Sequence, residues 1–147
     1  MTETEKNKAV IRRYFDEVWS KGDTNILNET HYPDYEIEKL PPWREPGVEG
    51  LKEFIKDNHR MFPDVQAKVE DLIAEANKVV ARVSFTGTHK GDLVGPVGLV
   101  PATNKKVTFR GIFIFELHDS KVMKAWSVTD NMELMQQLGA VPNPRPL

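Results

Sequence analysis

A chain of 147 residues is one domain's worth, and at that length roughly 70% of the unfolded surface can be buried without covalent staples. It holds no cysteine, which excludes disulfides, thiolate metal sites and cysteine nucleophiles. Twenty basic and 22 acidic residues are interspersed to a net charge of −2, a balance with no electrostatic footprint for nucleic acid or an anionic membrane.

The opening MTETEKNKAV lacks the apolar core of a secretory signal, and no apolar run approaches the ~20 residues of a bilayer span, so a cytoplasmic setting is expected. Val10, Ile11, Tyr14, Phe15 and Val18 recur at helical spacing and predict a helix over 5–21. Thr2 or Thr4 is its candidate cap, and Gly22 stands where a left-handed residue would end it. A short second helix is expected over 23–30, then a strand around Tyr35 and Ile37. Pro41, Pro42 and Pro46 forbid regular structure before a helix over 50–62, which Pro63 stops.

The rest alternates with period two. Val65, Ala67 and Val69 open a strand whose phase slips near Asp71–Leu72, as at a bulge. Residues 78–89 alternate cleanly, a Gly- and Pro-rich loop covers 91–104, and Val107, Phe109, Phe113 and Phe115 share a strand face. Asp119–Ser120 turns the chain into a strand over 122–130. A short helix over 132–138 ends at Gly139, and the tail PNPRPL is too rich in proline to do more than drape. Helices first and long strands after argue one α+β domain over 1–147, its curved antiparallel sheet covered on one face.

Three stretches carry a resemblance: Trp19 to Asp23; Phe62-Pro63-Asp64 with Gly87 to Gly91; and Trp126 to Asp130 with Gln137-Leu138-Gly139. In this order they resemble the SnoaL-like polyketide cyclases and the ester cyclases around them. The resemblance implies an NTF2-like cone with an enclosed pocket. It also implies an intramolecular aldol closure without metal or cofactor, on a small hydrophobic carbonyl compound, with Asp130 as acid–base residue. Glu38 stands where many relatives carry a pocket histidine, and residues 98–105 depart from the usual glycine-proline loop, so substrate and reaction can differ.

Pairing Phe113 with Trp126 across the hairpin would gather Phe109, Phe113, Trp126, Val128 and Asp130 on one face. A carboxylate at the end of an aromatic face is partly desolvated and drawn toward the working range of a general base. Asp130 and Glu133 equally fit a capping box for the last helix. His89 continues the face of Phe85, where it would hold a carbonyl or its enolate, or else it ends its strand in solvent. Tyr14, Trp19, Phe54 and Phe85 are core at helical or strand spacing and also the expected pocket walls. Trp43, in a proline loop, is a lid side chain or a residue packed under that loop. Arg82 and Arg110 are expected on the face opposite Asp130, and His31 and His59 near the helical wall. Four scattered histidines do not make a metal site.

Ketosteroid-isomerase-like or epoxide-hydrolase-like chemistry on the same fold is an alternative, as is a non-catalytic module binding a hydrophobic ligand. Val80 and Ile112 on the outer sheet face call for a cover, so a homo-oligomer, dimer or tetramer, is expected.

Overall fold

The computed structural model describes residues 1–95 and 97–142. Helix α1 (Glu3–Arg13) starts on a full capping box. Thr2 accepts the Glu5 amide, and the Glu5 carboxylate accepts the amide of Thr2. The predicted single helix then changes character, because Tyr14–Trp19 winds as a π-helix. Wider turns set Tyr14, Phe15, Val18 and Trp19 all toward the interior, four buried large side chains within six residues. Gly22 ends the segment at φ +76°. A 3-10 turn (Thr24–Ile26) and the four-residue α2 (Leu27–Thr30) lead into β1 (His31–Ile37).

Helix α3 (Gly47–Met61) begins a turn earlier than periodicity predicts. A methyl group on Gly50 would lie 1.6 Å from the Glu45 carbonyl oxygen, so only glycine lets the proline segment 41–46 press against the helix start.

Strands β2 (Gln66–Glu75), β3 (Lys78–Thr88), β6 (Lys106–His118) and β7 (Lys121–Thr129) form an antiparallel sheet. The order is β1-β7-β6-β3-β2. The sheet is not wholly antiparallel as expected: β1 adds to its edge parallel to β7, reached through the helical segment α3 and five intervening strands rather than by a hairpin. The β2 slip is observed, between Val69 and Asp71. The predicted loop 91–104 contains a small ribbon of β4 (Leu93–Gly95) and β5 (Gly98–Val100). Asp119 and Ser120 both have positive φ, 50° and 61°, as a tight two-residue hairpin turn requires. Helix α4 (Asn131–Gln137) closes the fold. The tail expected to drape lies outside the described residues from 143 onward.

One correction governs the rest. His118 pairs with Lys121 and Leu117 with Val122, a register that would carry Phe113 opposite Trp126. The register instead slips by one residue between Glu116 and Leu117, so Phe113 faces Ser127 and Ile114 faces Trp126. A one-residue slip exchanges the two faces of a strand. Phe109, Phe113 and Phe115 therefore look inward with Ala125, while Trp126, Val128 and Asp130 turn to the outer face. Inside, Phe85 stacks on Phe109 at 5.3 Å between ring centres and Phe15 meets Phe113 edge-on at 5.2 Å. Each such side chain contributes roughly 1.5–3 kcal/mol by burial.

Candidate functional site

Between the concave sheet face and the helices lies a cavity of about 1010 Å³, at the upper end of the roughly 300–1,000 Å³ usual for small-molecule sites. Its walls are aromatic: Trp19, Phe54, Phe62, Phe85, Phe109 and Phe113. Helix α3, β1 and the segment 38–46 frame its mouth, with the β4 residues Leu93–Gly95 bordering it.

Three polar side chains meet at its buried end. Tyr14, from the π-helix, and Tyr35, from β1, flank His31 at 5.0 and 5.1 Å between ring centres. All three are at least 95% buried, yet each borders the cavity. His31 Nδ1 and Thr30 Oγ1 share a hydrogen bond of 2.8 Å, which fixes the ring's orientation. Desolvation pulls the His31 imidazole down to about 3 and pushes Tyr35 up to about 12 against an opposing pull from Arg44. Burial raises Tyr14 as well. All three are therefore uncharged near neutral pH. Trp19 Nε1, also buried, makes no hydrogen bond among the described residues.

Charge is confined to the rim. Glu38 lines it, exposed, at the end of β1. The Arg44 guanidinium lies 3.8 Å from the Phe54 ring centre, and partial burial lowers its affinity for the proton.

Six of the expected pocket residues line this cavity with their side chains on its walls or rim: Tyr14, Trp19, Phe54, Phe85, Phe109 and Phe113, with Glu38 at the mouth. Others do not. Trp43 is 84% exposed and is not packed under the proline loop. Trp126 and Val128 border the cavity only along the strand. The Trp126 ring lies near Lys124 and Lys78, with Nζ at 5.0 and 5.6 Å from its centre, and Val128 lines a hollow on the outer face. Asp130 lies in that outer hollow, exposed, on the same side as Arg82 and Arg110 rather than opposite them. Its Oδ1 accepts the Glu133 amide at 2.9 Å, so it caps α4.

His89 is buried but belongs to a different structure. Its Nδ1 accepts the Thr103 amide at 3.2 Å, and its backbone exchanges hydrogen bonds with Asn104 and Lys105. It pins the segment 101–105 against Phe62 and does not line the cavity. Burial lowers its pKa, opposed by the Gly91 backbone and the Asp92 carboxylate.

Of the histidines, sequence reasoning placed His31 near the helical wall without a role. Its signal was present, since Thr30 beside it supplies a hydrogen-bonding partner, but its two tyrosine neighbours come from separate elements. His59 donates Nε2–H to the Trp19 carbonyl at 2.7 Å and is structural. Among the described residues no cluster of three His, Asp or Glu side chains could hold a metal ion.

The residues that carried the resemblance hold the frame. Asp64 accepts the Thr88 amide at 2.6 Å and its hydroxyl at 2.7 Å, contacts that lower the carboxyl pKa. Gln137 pairs with Thr108 like a strand residue, its Nε2 donating to the carbonyl at 2.6 Å and its Oε1 accepting the amide at 2.9 Å. There β6 runs beyond its pairing with β7, which reaches only Gly111, so the side chain satisfies an open edge.

The family model of the SnoaL-like polyketide cyclases matches residues 9–138. Among solved structures, TsrD from Streptomyces laurentii superposes with a TM-score of 0.85 at 26% identity, covering 96% of this chain and 100% of that one. A provisionally assigned polyketide cyclase from Acidithiobacillus ferrooxidans gives 0.80 at 29%, covering 95% and 99%. One from Bacillus cereus gives 0.79 at 29%, covering 96% and 87%. No curated protein sequence matches the chain. These relationships support a cyclase-like function on an NTF2-like α+β fold, and the chain belongs to the SnoaL-like polyketide cyclase family.

Proposed function

We propose that the chain binds a small, mostly apolar carbonyl compound in the inner cavity and promotes its intramolecular aldol closure without metal or cofactor. A carboxylate of the cavity rim, where Glu38 stands, takes the proton from the carbon beside one carbonyl, the resulting enolate carbon bonds to the other carbonyl carbon, and the new alkoxide takes that proton back. The observation that carries this reading is the aromatic cavity whose buried end holds only uncharged polar groups, Tyr14, His31 and Tyr35. Such walls exclude water from a carbanion and orient a flat ligand. Asp130 is left out of the chemical step, because its carboxylate lies on the other side of the sheet.

That position of Asp130 favours a second reading, a module that binds a hydrophobic ligand without transforming it. One experiment separates the two. Wild type and Phe113→Trp, which fills the cavity, are compared for ligand-induced melting shifts and for turnover of a panel of diketo-esters. Binding and turnover in wild type, both lost in the variant, support the cyclase. Binding without turnover across the panel supports the module.

A further inference from the structure

We propose that Tyr14, His31 and Tyr35 together form a site for a delocalised oxyanion, the enolate of a β-dicarbonyl or a phenolate, held by three uncharged donors. The inference rests on the inner cavity being the ligand site and adds the chemical class of what binds there.

The geometry centres on His31, with a tyrosine ring about 5 Å away on each side. The single hydroxyl hydrogen of Thr30 has two acceptors in reach, His31 Nδ1 at 2.8 Å and the Ile26 carbonyl at 3.3 Å. While it stays on the Ile26 carbonyl, Nδ1–H donates to Thr30 Oγ1; turned to the nearer Nδ1, it places the ring proton on Nε2, the tautomer that a bound oxyanion selects. Neither tyrosine hydroxyl donates a hydrogen bond among the described residues: Trp19 Nε1–H stands near the Tyr14 oxygen only as a donor, outside hydrogen-bond geometry, and both tyrosines border the cavity, so their protons are free for a ligand. Burial holds each group in its uncharged form, the tyrosines protonated and the imidazole neutral. Donors fixed in a site poor in water stabilise developing negative charge without reorganising.

The same facts exclude other anions. A carboxylate or phosphate concentrates its charge and needs a cation to offset desolvation. The cations bordering the cavity, Lys39 and Arg44, belong to the rim segment; Arg44 is near enough to Tyr35 to oppose its rise, but its guanidinium is committed to the face of the Phe54 ring at 3.8 Å. A spread charge on a flat, apolar body fits aromatic walls with neutral donors beyond them.

The test uses 4-nitrophenol, with nitrobenzene and 4-nitrobenzoate as controls, and follows the ionisation of the bound phenol by absorbance. The expected result is an ionisation midpoint below that of the free phenol, with the phenolate bound about tenfold or more tighter than the phenol. Tyr14→Phe and Tyr35→Phe keep the rings and should each reduce that preference by about threefold or more. Nitrobenzene should bind and nitrobenzoate should not. A midpoint at or above the free value with nitrobenzene bound overturns the oxyanion site and leaves the cavity reading standing. Nitrobenzoate binding as tightly as the phenolate also overturns it, because the site would then take any anion. If no probe binds, both readings fall.

Discussion

Asp130 Oδ1 accepts the Glu133 amide at 2.9 Å, and the Glu133 carboxylate in turn pairs with Arg110 on β6. This chain of contacts ties the start of α4 to the outer face of the sheet. Asp130→Ala is expected to cost about 1 kcal/mol as a lost cap. For a chain of this size that is a fall in Tm of roughly 2–4 °C. Asp130→Asn, which caps about as well, should leave Tm unchanged, and both variants should bind cavity ligands like wild type. Calorimetry and ligand titration check this; weakened binding in the Asn variant would return the carboxylate to the site.

Stability should decline on mild acidification. His31 is held down to about 3 by burial, against an ordinary value of 6.5. Above pH 6.5 the ring is neutral folded or unfolded, and its contribution is fully present. Between pH 6.5 and about 3 the unfolded chain takes up a proton that the folded chain refuses, so stability falls by about 1.4 kcal/mol per pH unit for one such proton. His89, lowered in the same direction, adds to this slope. Urea unfolding at pH 7.5 and pH 5 measures it, and His31→Gln should be markedly less sensitive to pH over that interval.

Gly50→Ala should destabilise by about 1–3 kcal/mol, as overpacking does. The added carbon would lie 1.6 Å from the backbone oxygen of Glu45, which cannot rotate away as a side chain could. The segment carrying Glu38 and Arg44 must shift, so ligand affinity should fall along with Tm. Stability lost with affinity intact would separate this segment from the mouth of the site.

Trp43→Ala is expected to change stability by less than about 0.5 kcal/mol, as exposed positions do. It should also remove the most solvent-exposed of the three indoles from the emission spectrum, leaving Trp19 in the cavity wall to report on ligand binding. Chemical denaturation and fluorescence titration of the variant check both points.

Much was legible along the chain. The apolar alternation in β3 and β6, a helix cap at Thr2 or Thr4, the left-handed Gly22 and the Asp119–Ser120 turn were each visible locally, because each depends on neighbours a few residues away. The aromatic walls were legible for the same reason, since Phe85, Phe109 and Phe113 sit on the apolar phase of their strands. The motif residues marked the family through the frame that they hold rather than through its chemistry.

The sequence by itself determined the main helices and long strands, their order, the α+β class and which residues are apolar enough to wall a cavity. Tertiary structure alone decided which face of β7 looks inward. Pattern cannot locate a one-residue slip between Glu116 and Leu117, yet that slip puts Ser127 across from Phe113 and sends Asp130 to the outside. It also decided the company of His31. Tyr14 and Tyr35 lie on separate elements to either side of it, and a π-turn and a parallel edge strand bring the three rings together. Burial, the physical cause of their neutral states, arises only when helices and sheet close over them.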